Sequence, residues 1–197
     1  MRRSLVLLLA VAAVAASDQP KTGTEPGNVL PGPFRCYTVT GARAGKFHDF
    51  VTEYGLDPAV AVFFREPIPS EDQPLGKLLQ QLNATVGASR GGRFHAFGVL
   101  LALKDEFIKD EARGTFIDGL EKLSAKLNLQ NVPLGLERIE SEQTKRYNLP
   151  ADAAVVVLVY NQQIVQARFT FSADKPFDDA ALSAVMAEVG KLTGKKK

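Results

Sequence analysis

The stretch that orders the rest of the chain runs Ala153-Ala-Val-Val-Val-Leu-Val-Tyr160, Asn161-Gln162-Gln163, Ile164-Val-Gln-Ala-Arg-Phe-Thr-Phe171. Its first part is continuously apolar and β-branched, which suits a strand covered on both faces. Three turn-forming polar residues follow. The last part alternates, with Val165, Ala167, Phe169 and Phe171 set against Gln166, Arg168 and Thr170. Alternation of this kind predicts an edge strand with one wet face, paired to its predecessor as a β-hairpin. Beyond it Leu182, Val185, Met186, Val189 and Leu192 repeat at helical spacing, and Asp178 and Asp179 stand where a helix N-terminus favours negative charge. The chain thus closes with strand, strand, helix.

Upstream, the pattern changes to strand and helix in alternation. Phe34-Arg-Cys-Tyr-Thr-Val-Thr40 is rich in β-formers, and Ala59-Val-Ala-Val-Phe-Phe64 and Phe94 to Leu103 are fully apolar runs of strand length. Between them Phe47, Phe50, Val51 and Tyr54 fall on one helical face, with Gly55 placed as a C-cap, and Leu75, Leu78, Leu79, Leu82 and Val86 mark another. Lys104 to Gly114 reads as a charged connection. Phe116, Leu120, Leu123 and Leu127 then form a third stripe, Val132 to Ile139 a short strand, and Glu140 to Asn148 a helical turn. Alternating strands and helices imply parallel strands with right-handed crossovers. The expected fold is α/β: a three-layer sandwich with a central mixed sheet and helices on both faces.

The N-terminus has a different character. Arg2 and Arg3 precede the apolar run Leu5 to Val14 and the small residues Ala13 to Ala16, the pattern of a signal peptide over residues 1–16. That run is shorter than the ~20 residues that span a bilayer, so no transmembrane segment is expected in the mature chain. Ser17 to Pro33, with four prolines and three glycines, reads as a flexible linker. The domain is expected over 34–193, followed by a basic tail at 194–197. The whole chain carries 24 basic and 22 acidic residues; without Arg2 and Arg3 the two are equal at 22. A near-neutral exported protein has no electrostatic footprint for nucleic acid.

Several motifs invite a chemical reading. Gly41-Ala-Arg-Ala-Gly45-Lys46 has the outline of a phosphate loop, but only three residues separate its glycines and Phe47 stands where Ser or Thr would bind magnesium. It is read as a turn leading from the first strand into the first helix. His48 and His95 lie on different elements, so neither catalytic convergence nor a metal site is expected. Arg65, Glu66, Glu71 and Asp72 occupy the loop after a buried strand. Ligands bind at the carboxyl ends of strands in open α/β sheets, so this loop is the candidate binding surface. Asn83-Ala-Thr85 matches a glycosylation sequon inside a predicted helix. Cys36 is the only cysteine. It excludes an internal disulfide and leaves two readings, a buried inert thiol or a single reactive one.

The order of elements from Phe34 to Leu192 resembles the thioredoxin fold. The segments Val39-Thr-Gly41, Gly45-Lys46, Tyr54-Gly55 and Pro58-Ala-Val-Ala-Val-Phe-Phe-Arg65 resemble those of secreted bacterial thioredoxin-like proteins. That resemblance implies a C-x-x-C either after the strand ending at Phe64 or just after Gly45-Lys46. The chain has Arg65 to Asp72 in the first place, and Asp49 and Thr52 near the family's cysteine positions in the second. It also implies a cis-proline before the first hairpin strand, where Pro150 is the nearest residue. The expected function is therefore a binding or interaction module without dithiol chemistry or cofactor, acting on a protein partner or small ligand outside the cytoplasm. The alternative is a thiol-dependent redox or peroxide-linked enzyme using Cys36 alone.

Overall fold

The structure, a computed structural model, describes residues 21–104 and 110–194. The stretch read as a signal peptide, the first four residues of the expected linker and the lysines of the tail lie outside them. One seven-stranded mixed sheet runs through the molecule. Its strands are β1 (Arg35–Thr38), β2 (Lys46–Asp49), β3 (Ala59–Phe64), β4 (His95–Leu103), β5 (Leu134–Arg138), β6 (Ala153–Asn161) and β7 (Ile164–Ser172), in the order β2-β1-β5-β4-β3-β6-β7. The main helices are α1 (Phe50–Tyr54), α2 (Pro74–Gly87), α3 (Asp110–Lys126), α4 (Glu142–Arg146) and α5 (Asp179–Thr193).

β3 is an interior strand between β4 and β6, and every one of its six residues is buried. It pairs with β4 in parallel and with β6 antiparallel. β4 and β5 are also parallel, as the alternating pattern predicted. β6 and β7 form the expected antiparallel hairpin, turned by Gln162 and Gln163 at φ 52° and 60°.

The sheet divides the core in two. One face carries Leu78, Leu79 and Leu82 of α2, Leu120, Leu123 and Leu127 of α3, and Leu182, Val185 and Val189 of α5. These are the three predicted stripes, although α3 starts earlier than Phe116, in what had read as a connection. The other face packs against Phe50 and Val51 of α1, Tyr147 just beyond α4, and Leu30 and Phe34 of the N-terminal segment. Phe34, Phe63, Phe97 and Tyr147 form a ring cluster there, with Phe34 and Phe63 centroids 4.8 Å apart.

Three features depart from the sequence reading. First, Lys46–Asp49 is a strand, not the first turn of a helix. It pairs antiparallel with β1, which itself runs antiparallel to β5. Gly41 and Gly45, at φ 85° and 80°, reverse the chain, and the Gly45 amide bonds the Thr38 carbonyl. Gly41 to Lys46 is thus a hairpin turn, not a hinge into a helix. Phe47 belongs to the apparent helical stripe by spacing, yet it lies across from Tyr37 and is 54 % exposed. The helix begins only at Phe50, where Asp49 caps it.

Second, residues 21–33 do not behave as a free linker. Val29 bridges Ile164, the Leu30 amide bonds the Gln163 carbonyl, and Asn28 and Val165 are also joined through their backbones. Leu30 and Thr24 are buried. The composition is that of a linker, but backbone groups of this segment find partners on β7 and its turn, and Leu30 joins the core.

Third, β7 does not keep one face throughout. Val159 opposes Ala167 while Tyr160 opposes Val165, so Gln166 is an extra residue. This bulge sends Val165 to the second core and leaves Ala167, Phe169 and Phe171 on the first. The expected wet face is also partly covered, because the Arg168 side chain is only 8 % exposed.

Candidate binding cleft at the carboxyl end of the sheet

Arg65 is the first residue after β3, and the sheet aims it. Its amide bonds the Ala154 carbonyl, continuing the β3–β6 ladder by one step. The guanidinium then turns across the loop before β6, where Nε donates to the Ala153 carbonyl and Nη2 to the Pro150 carbonyl, both at 3.0 Å. Burial lowers the pKa of Arg65, opposed by the carboxylates of Asp152 and Glu140. Arginine stays charged at any pH in reach of an experiment. Arg65 is thus a fixed cation that ties two loops together.

Beside it opens a cleft of about 330 Å³, lined by Arg65, Glu140, Thr144, Lys145, Leu149 and Ala151 among others. α4 forms one wall. Its start is set by a capping box in which Ser141 accepts from the Thr144 amide and the Thr144 hydroxyl accepts from the Ser141 amide. Leu149 and Ala151 supply an apolar side and Glu140 an exposed carboxylate. Lys145 is paired with Glu142 at 3.1 Å in solvent. The cleft therefore offers two cations and a carboxylate around a small apolar surface, with no thiol.

The structure separates the predicted loop residues. Arg65 reaches the cleft, but Glu66, Glu71 and Asp72 are exposed and do not line it. The loop folds instead onto the start of α2, with the Ser70 amide bonding Gln73 Oε1 and the Gln73 amide bonding the Ser70 carbonyl. The cis peptide is at Glu66–Pro67, in this loop, and not at Pro150.

Asp49 and Thr52 act locally. Asp49 Oδ1 accepts from the amides of Phe34, Val51 and Thr52, and the Thr52 hydroxyl donates to Oδ2. They cap α1 and pin the start of β1. Cys36, on β1, is fully buried. A Cβ on Gly135 of the neighbouring strand would lie 2.5 Å from its Sγ, so the sulfur fills the space that the glycine leaves. Burial pushes the thiol pKa far above its usual range, and the carboxylates of Glu137 and Asp49 add to this.

The two histidines have separate partners. His48 Nε2 lies 2.8 Å from Glu53, which also pairs with Arg43; His95 Nε2 lies 3.3 Å from Asp57, and its ring stacks on Tyr54 at 4.3 Å. Among the described residues no group of histidine, cysteine and carboxylate side chains could hold a metal ion. The sequon residue Asn83 is engaged too, for its side chain accepts from the Asn131 amide and donates to the Asn128 carbonyl.

Sequence reading missed the partners of Arg65 and the role of Arg168. Arg168 bonds Thr24 and the Asn148 carbonyl and lies 3.6 Å from Glu25. A cation at a polar position of an alternating strand looks like any solvated residue, and its partners are 20 and 144 residues away.

No family model matches the chain, and no curated protein does. Solved structures do resemble it. A secreted thiol-disulfide isomerase from Corynebacterium glutamicum superposes with a TM-score of 0.57 at 10 % identity, over 83 % of this chain and 85 % of that one. A reduced 2-Cys peroxiredoxin from Plasmodium vivax gives 0.54 at 16 %, over 87 % and 86 %. The thioredoxin domain of a thiol-disulfide oxidoreductase from Bacteroides vulgatus gives 0.51 at 12 %, over 82 % and 96 %. At such identities the likeness speaks for fold alone. The chain has the thioredoxin-like fold, and the architecture expected from the sequence is the one found.

Proposed function

We propose that this chain is an exported thioredoxin-like domain that works by binding, without dithiol chemistry, and that the cleft beside Arg65 is its contact site. The observation that carries this reading is the placement of sulfur and cation. The single cysteine is sealed between β1 and β5, with no exposed surface. The first residue after β3 is an arginine already bonded to the carbonyls of Pro150 and Ala153. A thiolate that attacks a substrate needs access and a lowered pKa, and Cys36 has neither. Export is supported by the basic start, the short apolar run and the small residues of the first 16 positions.

The test is thiol accessibility set beside turnover. Cys36 is expected to resist a maleimide reagent in the native protein and to react fully once unfolded. The protein is expected to leave insulin disulfides intact at any glutathione ratio. Stoichiometric labelling of the folded protein, together with disulfide reduction abolished by Cys36→Ser, would establish the thiol enzyme instead.

A further inference from the structure

The two edges of the sheet are finished differently. β7 has part of its edge paired by residues 27–30. β2 is the other edge, and among the described residues its only strand partner is β1. An unpaired edge presents a row of backbone donors and acceptors ready to take another strand.

The side chains along this edge are not those of a surface meant only for water. Phe47 is 54 % exposed and stands edge-on to Tyr37, with ring centroids 5.6 Å apart. The Arg113 guanidinium of α3 lies over the other ring of the pair, 4.1 Å from the Tyr37 centroid, and Arg35 lies 5.6 Å from that of Phe47. Arginine over an aromatic face is an attractive arrangement that also holds the ring in place. The row Arg113, Tyr37, Phe47 therefore forms a buttressed platform reaching the edge. Lys46 lies next to Phe47, on the opposite face of the strand. None of Arg35, Lys46 and Arg113 makes an ion pair among the described residues, whereas the carboxylate on this strand, Asp49, is used up capping α1.

We propose that the β2 edge is a docking site for an extended peptide segment that alternates acidic and apolar residues and adds to the sheet as an eighth strand. The backbone of Lys46–Asp49 supplies the pairing groups. Alternation matches the site: apolar side chains fall on the Phe47 face and carboxylates on the Lys46 face, while Arg35, at the strand end beside the Phe47 ring, adds positive charge along the edge. Charge selects the occupant. A second copy of this edge brings its own unpaired cations against these, which disfavours self-pairing. The site shares no residue with the cleft beside Arg65, so it stands or falls independently of that reading.

The test uses the purified chain and a peptide labelled at its N-terminal amine, fluorescein-Glu-Val-Glu-Val-Glu-Val-amide, with its Lys-Val counterpart as control. The acidic peptide is expected to raise fluorescence anisotropy saturably and to shift the amide resonances of residues 46–49, while the basic one does neither. Raising salt from about 50 to about 300 mM weakens the binding. Charge reversal at Arg35→Glu with Lys46→Glu weakens it at least about tenfold, and Phe47→Ser about threefold or more. Circular dichroism of each variant checks that the fold is intact. The proposal is overturned by equal binding of both peptides, by shifts that map elsewhere, or by no binding up to about 1 mM. It is equally overturned by a dimer through β2 in sedimentation, or by preference for phosphatidylserine vesicles over the peptide.

Discussion

The two faces of the sheet are covered by different means. On the first face, α2, α3 and α5 contribute apolar stripes at helical spacing, and burial of leucine and valine does the work. On the second face, α1 and α4 have five residues each, too short to hold themselves. They are fixed instead by Asp49 and Ser141 at their starts and by an extended segment laid over β7. One face is held by area, the other by a set of side chain to backbone bonds around an aromatic cluster. The first tolerates little loss of volume; the second depends on particular polar atoms, and it is also the face that carries Cys36 and the wall of the cleft.

Truncations in the two coverings should therefore differ in size. Leu79 of α2 has no exposed surface, and its neighbours Leu78 and Leu82 are equally enclosed. Leu79→Ala is expected to cost about 3 kcal/mol in urea unfolding, since helices locked on both sides cannot collapse into the space. Leu30→Ala is expected to cost about 2 kcal/mol or less, because the segment carrying Leu30 is free to shift and part-fill the gap. Equal losses would mean that the N-terminal segment is as rigid as α2, and the contrast between the faces would fail.

This contrast also explains what the sequence disclosed. Stripes such as Leu75, Leu78, Leu79 and Leu82, and runs such as Ala59 to Phe64, announce themselves because periodicity is the imprint of burial. The first face and the central strands were legible for that reason. Asp49, Thr24 and Arg168 carry no period. Their roles arise from atoms brought together over long separations, as when Thr24 bonds the Tyr147 carbonyl. Phe47 misled because a strand followed directly by one helical turn imitates a longer helix at i, i+3 and i+4. The capping aspartate at position 49 was the available signal for the true start. The candidate site was half legible. The loop after β3 was marked by topology, but only Arg65 of its charged residues reaches the cleft, and the other walls come from 74 or more residues downstream.

Arg168 offers a sharper probe of the polar covering. Its guanidinium bonds Thr24 and the Asn148 carbonyl and approaches Glu25. Arg168→Ala leaves the buried Thr24 oxygen without its donor, while the exposed Asn148 carbonyl and Glu25 turn to water, at an expected cost of about 1 kcal/mol. The loss should be local before it is global. Hydrogen exchange should quicken at the amides of Gly23, Gly27 and Leu30, which bond Val29, Val165 and Gln163, while α2 and α5 stay protected. Exchange that quickens equally across the sheet would show that this segment does not open as a unit. Arg168→Lys should recover little, because one ammonium cannot span both acceptors with the fork geometry of the guanidinium.

The smallest effect separates two carboxylates on the polar face by the sign of their pH dependence. Glu137 on β5 is 7 % exposed, and burial raises its pKa, offset in part by the Arg138 backbone and by bonds from Gln143 and Ser141. A raised folded-state pKa stabilises the fold below the unfolded value of about 4.3, and that contribution is lost as pH climbs through the folded value. Glu53 on α1 is shifted down: burial pushes its pKa up, but the bonds and charges of Arg43 and His48 outweigh that. Its contribution is present above about pH 4.3 and disappears as pH falls. Glu137→Gln should therefore stabilise the protein once pH rises above the unfolded value of about 4.3, with little effect at the acid end. Glu53→Gln should cost no more than about 0.5 kcal/mol at neutral pH, since its pair sits in solvent, and the cost should vanish in acid. Thermal melts of both variants across this range decide the matter. If the two difference curves slope the same way, burial does not distinguish these carboxylates, and the polar covering acts as a uniformly solvated surface.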